Sequence, residues 1–280
     1  AIFGIVAVCQ VAMPSQTCWG DKSGEEQVPQ STVVDEPSEL SPLATTGPKP
    51  EPITPPPLEA IDAAIVRGVD FLLETQHKHG AWGGPQRTKS LNIYAPVPGS
   101  HRAFRTGVTS LALMALCEGR PLLDGKRLEK VEQAIDGGQE WLFKNASRLR
   151  RAEAEALYNV WGHAYACHAI RRLYDRAEGD EQLQAKLIKL LEYQVDRLER
   201  YTFVNGGWGY YDFAAHTRKP SGSPTSFTTA TALIALKDAA ELDVHYPDEL
   251  AEKAIDSILR QRLPDFSYAY GEYLRLAPRY

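Results

Sequence analysis

Nowhere in the 280 residues does an apolar run approach the roughly 18–20 positions that a membrane-spanning helix requires. Basic residues are not in excess: 31 Lys and Arg stand against 36 Asp and Glu, for a net charge of −5. That balance argues against a general nucleic-acid binder, which carries a basic stripe. Cysteine is scarce and scattered, at Cys9, Cys18, Cys117 and Cys167. No two are spaced as C-x-x-C, so a zinc knuckle is not expected. Residues 20–57 have no aromatic side chain and are rich in Pro, Ser, Thr and Glu. Such a stretch buries too little apolar surface to offset chain ordering, and a disordered or extended linker is expected there.

The chain begins at Ala1 rather than Met, and the opening "AIFGIVAVC" carries no charge. It reads as the tail of a secretory h-region, so an exported protein is expected, whether periplasmic, at the cell surface or extracellular. Cys9 is a candidate N-terminal lipid anchor, although Val8 before it is a poor fit to the small residue such a signal uses. A bridge from Cys9 to Cys18 has only their proximity in its favour. The division expected is an export signal or anchor over 1–19, a Pro-rich linker over 20–57 and a folded domain over 58–280.

The folded part opens with "LEAIDAAIVRGVDFLLETQ", whose apolar residues Ile61, Ala64, Ile65, Val69, Leu72 and Leu73 recur in steps of three and four. That period predicts an amphipathic helix, and Pro57 suits its start. The helix repeats: "AIVRGVDFLL" from Ala64 aligns without gaps on "AIDGGQEWLF" from Ala134. A weaker copy, "LLEYQVDRL", ends at Leu198, ten residues before Trp208, as Leu72 stands ten before Trp82. A fourth start is "AEKAIDSILRQRL", where Ala254 and Ile255 repeat the Ala-Ile pair.

A second helix type alternates with the first. "TSLALMAL" from Thr109 aligns on "TATALIAL" from Thr229, and "HAYACHAI" from His163 fits the same frame. These segments are small and apolar on most sides, which predicts deeper burial. "SYAYGEYLRL" reads as a fourth inner helix. Outer and inner helices in alternation, four times over, predict an all-α array of hairpins, each burying its face against the next.

Two loops carry a glycine two residues before a tryptophan: "QHKHGAW" (Gln76–Trp82), of the form Q-x-x-x-G-x-W, and "NGGWGYYD" (Asn205–Asp212), which lacks the glutamine. In the first, Gly80 lets the chain turn, Trp82 supplies an apolar face and Gln76 an amide for unpaired backbone groups at the helix end. A clip between one hairpin's loop and the next helix is expected. With the two helix types and their order, the pattern resembles the QW repeats of squalene and oxidosqualene cyclases and the related repeats of protein prenyltransferase β subunits. The resemblance covers roughly residues 58–280. It implies an (α/α) toroid with inner helices around a central cavity, and about eight helices make an incomplete ring of about four hairpins.

The resemblance implies, for an enzyme, a terpenoid cyclase-like isomerase or prenyl transferase, but catalysis is unproven because the family's catalytic motifs are absent from this sequence. There is no D-x-D-D acid run, no D-C-T-A-E stretch, no Asp-x-Cys pair for the prenyltransferase zinc, and "ALCEG" around Cys117 does not match the thioester G-C-G-E-Q. No cofactor and no metal are expected, and the partner expected is an apolar small molecule bound in or at the ring cavity, with a non-catalytic partner-binding or structural repeat module as the alternative.

Candidate site residues come from two stretches. In "WGHAYACHA", His163 and Cys167 lie one helical turn apart, within reach of a common metal. His163, however, takes the frame position of Thr109 and Thr229, and Cys167 that of Leu113 and Leu233, so cavity lining or packing competes with ligation. Trp161 precedes them. In "GYYDF", Tyr210 and Tyr211 are candidates to line an apolar pocket or face a cation. Asp212 and His163 are weak catalytic candidates; Asp212 would act as a general acid, without a second carboxylate at fixed spacing. The "HKH" of His77–His79 and the entry loops before Thr109 and Thr229 are weaker metal and anion candidates.

Overall fold

The structure, a computed structural model, describes residues 54–84, 98–151, 155–212, 219–264 and 266–272. The expected signal, all but the end of the linker and residues 273–280 lie outside them. The described residues form seven α-helices and no strand: α1 Leu58–Thr75, α2 Pro98–Gly119, α3 Gly125–Asn145, α4 Asn159–Arg176, α5 Glu181–Tyr201, α6 Ser226–Ala240 and α7 Asp248–Gln261. A short 3-10 turn, Ala146–Arg148, follows α3. Local signals agree with these limits. Pro57 precedes α1, the Asp180 side chain accepts the Leu183 N–H to cap α5, and Asp248 and Glu249 open α7.

The even-numbered helices form one layer. α2 packs along α4, and α4 along α6, while α3, α5 and α7 back onto α2, α4 and α6 respectively. The deepest element is α4. Gly162, Ala164, Ala166 and Ala169 are all buried in it, and small residues let backbones approach closely. A Cβ on Gly162 would stand 3.1 Å from the Ala103 carbonyl of α2.

Two expectations need correction. Ser267–Glu272 is not a fourth inner helix. It runs as irregular chain, with isolated bridges from Tyr268 to Arg262 and from Gly271 to Thr225, and Phe266 before it sits at φ 64°. Its Ser, Gly and closely spaced tyrosines give no helical stripe. The second concerns α7. Ile135 is fully buried, whereas Ile255, matched to it by the Ala-Ile pair, is 47% exposed. Leu250, Ala254 and Ser257 face inward instead. Two shared residues are too few to fix the register of a helix.

The Gly-x-Trp loops are built alike. Trp82 Nε1 donates to the Leu72 carbonyl at 2.7 Å, and Trp208 Nε1 to the Leu198 carbonyl at 2.8 Å. Each indole thus donates to a carbonyl in the last turn of the helix before it, that of Leu198 also accepting the Thr202 N–H. The Trp82 backbone N–H donates to Thr109 Oγ1 (3.1 Å), and that of Trp208 to Thr229 Oγ1 (3.0 Å), tying each loop to the following inner helix. Gly80 and Gly206 sit at φ 91° and 88°. A Cβ there would lie 2.1 Å from the Gly137 carbonyl and 2.2 Å from that of Lys253, so only glycine lets the loop touch the next outer helix. Gln76 Nε2 donates to both Gly80 O and Ala134 O, each at 2.8 Å, bridging its own loop to α3.

Between these loops, α4 uses other parts. His163 Nδ1 bonds Gln194 Oε1 of α5 at 2.7 Å, and Gln194 Nε2 reaches the Ala146 carbonyl at 3.5 Å. This chain holds the loop after α3, where no Gly-x-Trp is present. At the other ends of the inner helices, Arg172 of α4 pairs with Glu118 of α2 (3.2 Å) and Asp238 of α6 (3.4 Å). All three stand nine residues beyond the matched Thr109, His163 and Thr229.

Candidate functional site: an aromatic wall on the inner helices

An inner helix with outer helices behind it still has one face of its own. On α2 that face carries Phe104, Val108 and Leu111, on α4 Trp161 and Tyr165, and on α6 Phe227 and Ile234. The spacing is i, i+4, i+7, a single stripe. Phe227 is 39% exposed, Leu111 44% and Ile234 54%, while Trp161 and Tyr165 are half-buried.

The rings touch across helices. Trp161 stacks on Tyr165 (centroids 5.7 Å, 12°) and on Phe227 (5.3 Å, 28°). Phe227 meets Tyr270 at 5.2 Å and Tyr210 at 6.2 Å. Tyr210 in turn contacts Tyr211 at 4.8 Å and Tyr158 at 6.0 Å, and Tyr158 meets Phe104 at 5.3 Å. The loops enter because Ala156 pairs with Tyr211 in a short bridge, which the Leu157 N–H extends to the Tyr210 carbonyl. Gly107 packs under the Tyr165 ring, where a Cβ would make ordinary contact at 3.5 Å. Eight rings from three helices and three loop segments make one continuous surface.

Most polar tips in the wall are committed. The Tyr158 and Tyr211 hydroxyls bond each other at 2.5 Å. Tyr165 is bonded to Thr231, and burial raises its phenol above the usual range. Trp161 Nε1 and the Tyr210 hydroxyl, by contrast, have no hydrogen-bond partner among the described residues.

The sequence candidates divide. Trp161, Tyr210 and Tyr211 meet in the wall. His163 and Cys167 do not join them, being fully buried on the opposite side of α4. Burial holds His163 neutral, with its pKa lowered to about 4, and raises the Cys167 thiol well above its ordinary value. The same cause pushes Cys117 up to about 11, so neither thiol is a ready nucleophile. Asp212 is fully buried as well. Its carboxylate lies 3.5 Å from Arg151 and accepts the Ser221 N–H at 3.3 Å, while its own N–H donates to the Glu155 carbonyl. It joins two loops beneath Tyr211. His77 Nε2 lies 3.0 Å from the Gly83 carbonyl and His79 stacks on Trp141. Among the described residues, no three His, Cys, Asp or Glu side chains are placed to hold a metal, and no helix is long and apolar enough to cross a membrane.

Phe104, Tyr158, Tyr165, Phe227 and Tyr270 belong to the wall without having been candidates. One signal pointed to them: in the inner-helix frame Phe227 holds the position of Trp161, two before Thr229 and His163. No family model, no curated protein and no solved structure matches the chain.

Proposed function

We propose that this chain is a helical-hairpin module of the (α/α) toroid kind, similar to the squalene-cyclase and prenyltransferase repeats, that binds an apolar, isoprenoid-like small molecule against its inner helices. The observation that carries the reading is the unbroken aromatic wall from Phe104 to Tyr270. Phe104, Phe227 and Tyr270 are exposed and Trp161, Tyr165 and Tyr210 half-buried; such aromatic surface on packed helices is unfavourable in water and favourable under an apolar ligand. Alternating outer and inner helices support the toroid, since a layer of small-residue helices backed by larger ones curves toward the small side. The role proposed is binding, with catalysis unproven: the eight rings of the wall carry no carboxylate, imidazole or thiol, and the His168 imidazole beside Tyr165 is engaged by Asp238. The uncharged stretch before Cys9 supports an exported protein.

Titration with farnesene, followed by tryptophan fluorescence, tests the reading. Saturable binding is expected, lost in Trp161→Ala and Phe227→Ala with melting temperatures near that of the parent protein. Absence of saturable binding of both farnesene and an oxygenated isoprenoid such as geranylacetone, up to their solubility limits, would sink it.

A further inference from the structure

Among the described residues, Phe227 is the ring in contact with both residues whose polar tips are uncommitted. Trp161 stacks on it at 5.3 Å and Tyr210 lies at 6.2 Å. The two tryptophans of the Gly-x-Trp loops use their N–H groups within the protein, Trp82 on Leu72 and Trp208 on Leu198. An indole nitrogen is a donor only, and half-buried Trp and Tyr ordinarily find a partner for the polar end. A pure hydrocarbon that covered Phe227 together with Trp161 and Tyr210 would leave any covered N–H or hydroxyl unpaired, which is costly. We infer that the ligand is not a hydrocarbon but an apolar molecule with a neutral oxygen acceptor, a ketone or an ether, seated over Phe227 and held by Trp161 Nε1 and the Tyr210 hydroxyl. The acceptor is taken as neutral because, among the described residues, the arginines that lie over rings do so at Tyr201, Tyr193 and Phe266 and not in the wall. Trp161 and Tyr210 then determine specificity, and their rings supply the apolar contact whatever the ligand's oxygen does.

The inference rests on the binding reading above, and one experiment separates the two. The probes are geranylacetone, a neutral isoprenoid ketone, and farnesene, a hydrocarbon of similar length. Binding of each is measured by calorimetry to the parent protein, to Trp161→Phe, to Tyr210→Phe and to the double variant. Each substitution removes a polar tip and keeps a ring. The expected result is geranylacetone weakened about 2- to 12-fold per substitution, from one hydrogen bond each, with farnesene unchanged or slightly tighter. Equal loss for both probes, or no loss for either, overturns the inference and leaves the binding reading standing. If neither probe binds the parent protein, both fall together.

Discussion

Trp208 and Trp161 show two uses of the same side chain. Trp208 is fully buried, its N–H donates to the end of α5, its backbone is tied to Thr229, and its neighbour Gly206 touches α7. Trp82 repeats this arrangement between α1, α2 and α3. Trp161 lies on the other side of the inner layer, half-buried between Tyr165 and Phe227. The first kind joins elements, so its loss removes core volume and hydrogen bonds at once. The second covers a surface that is already stable from behind. Tryptophan alone thus says little about function in this fold; what its nitrogen does says more.

The contrast predicts a ranking. Trp82→Ala and Trp208→Ala should each cost ~3–5 kcal/mol in urea unfolding, as expected for a large buried ring. Trp161→Ala should cost less than ~1 kcal/mol while removing farnesene binding. A comparable loss of stability at Trp161 would erase the distinction. His163 provides the next largest effect, on the buried side of the same helix. Its folded pKa of about 4 lies below the ordinary 6.5, so the unfolded chain binds the proton more readily and stability falls as pH drops from 6.5 to about 4. The contribution is on the order of 3 kcal/mol. Denaturation midpoints across that window should show a shallower acid decline for His163→Gln than for the parent.

Gln76→Ala removes two bonds to backbone carbonyls, one of them on α3, and should cost ~1–3 kcal/mol. Thr202 takes the glutamine's place in the second loop with one 3.3 Å bond to Gly207; Thr202→Val should cost about 1 kcal/mol or less. Reversal of that order by equilibrium unfolding would mean the glutamine is dispensable. Smallest is Glu118→Gln. Its pairing with Arg172 is largely solvent-exposed, and a change within ~0.5 kcal/mol is expected, detectable by careful thermal melts at low salt.

Much of the framework was legible because helical periodicity is a local property and the repeats multiply it. Seven helices form where apolar stripes or small-residue runs occur. The clip was legible in outline, as Gln, Gly and Trp each have a strong backbone preference or bonding need. Register across repeats was not, and Ile255 is the example: alignment by two residues ignores which face the neighbours bury. The wall was half legible. Trp161, Tyr210 and Tyr211 stood out as aromatics, yet Tyr158 and Tyr270 join through loop pairing that periodicity does not encode. His163 and Cys167 drew attention by chemistry, but two and six positions from Trp161 around a 3.6-residue turn leads to the far side of the helix.

The glutamate, arginine and aspartate at one level of α2, α4 and α6 have an evolutionary corollary. Their signs run minus, plus, minus along the inner layer. Copying any one hairpin and splicing it beside its parent would set like against like at that rung. The similar hairpins are therefore not interchangeable, and lengthening the array by copying one would require recoding a charge along with the copy.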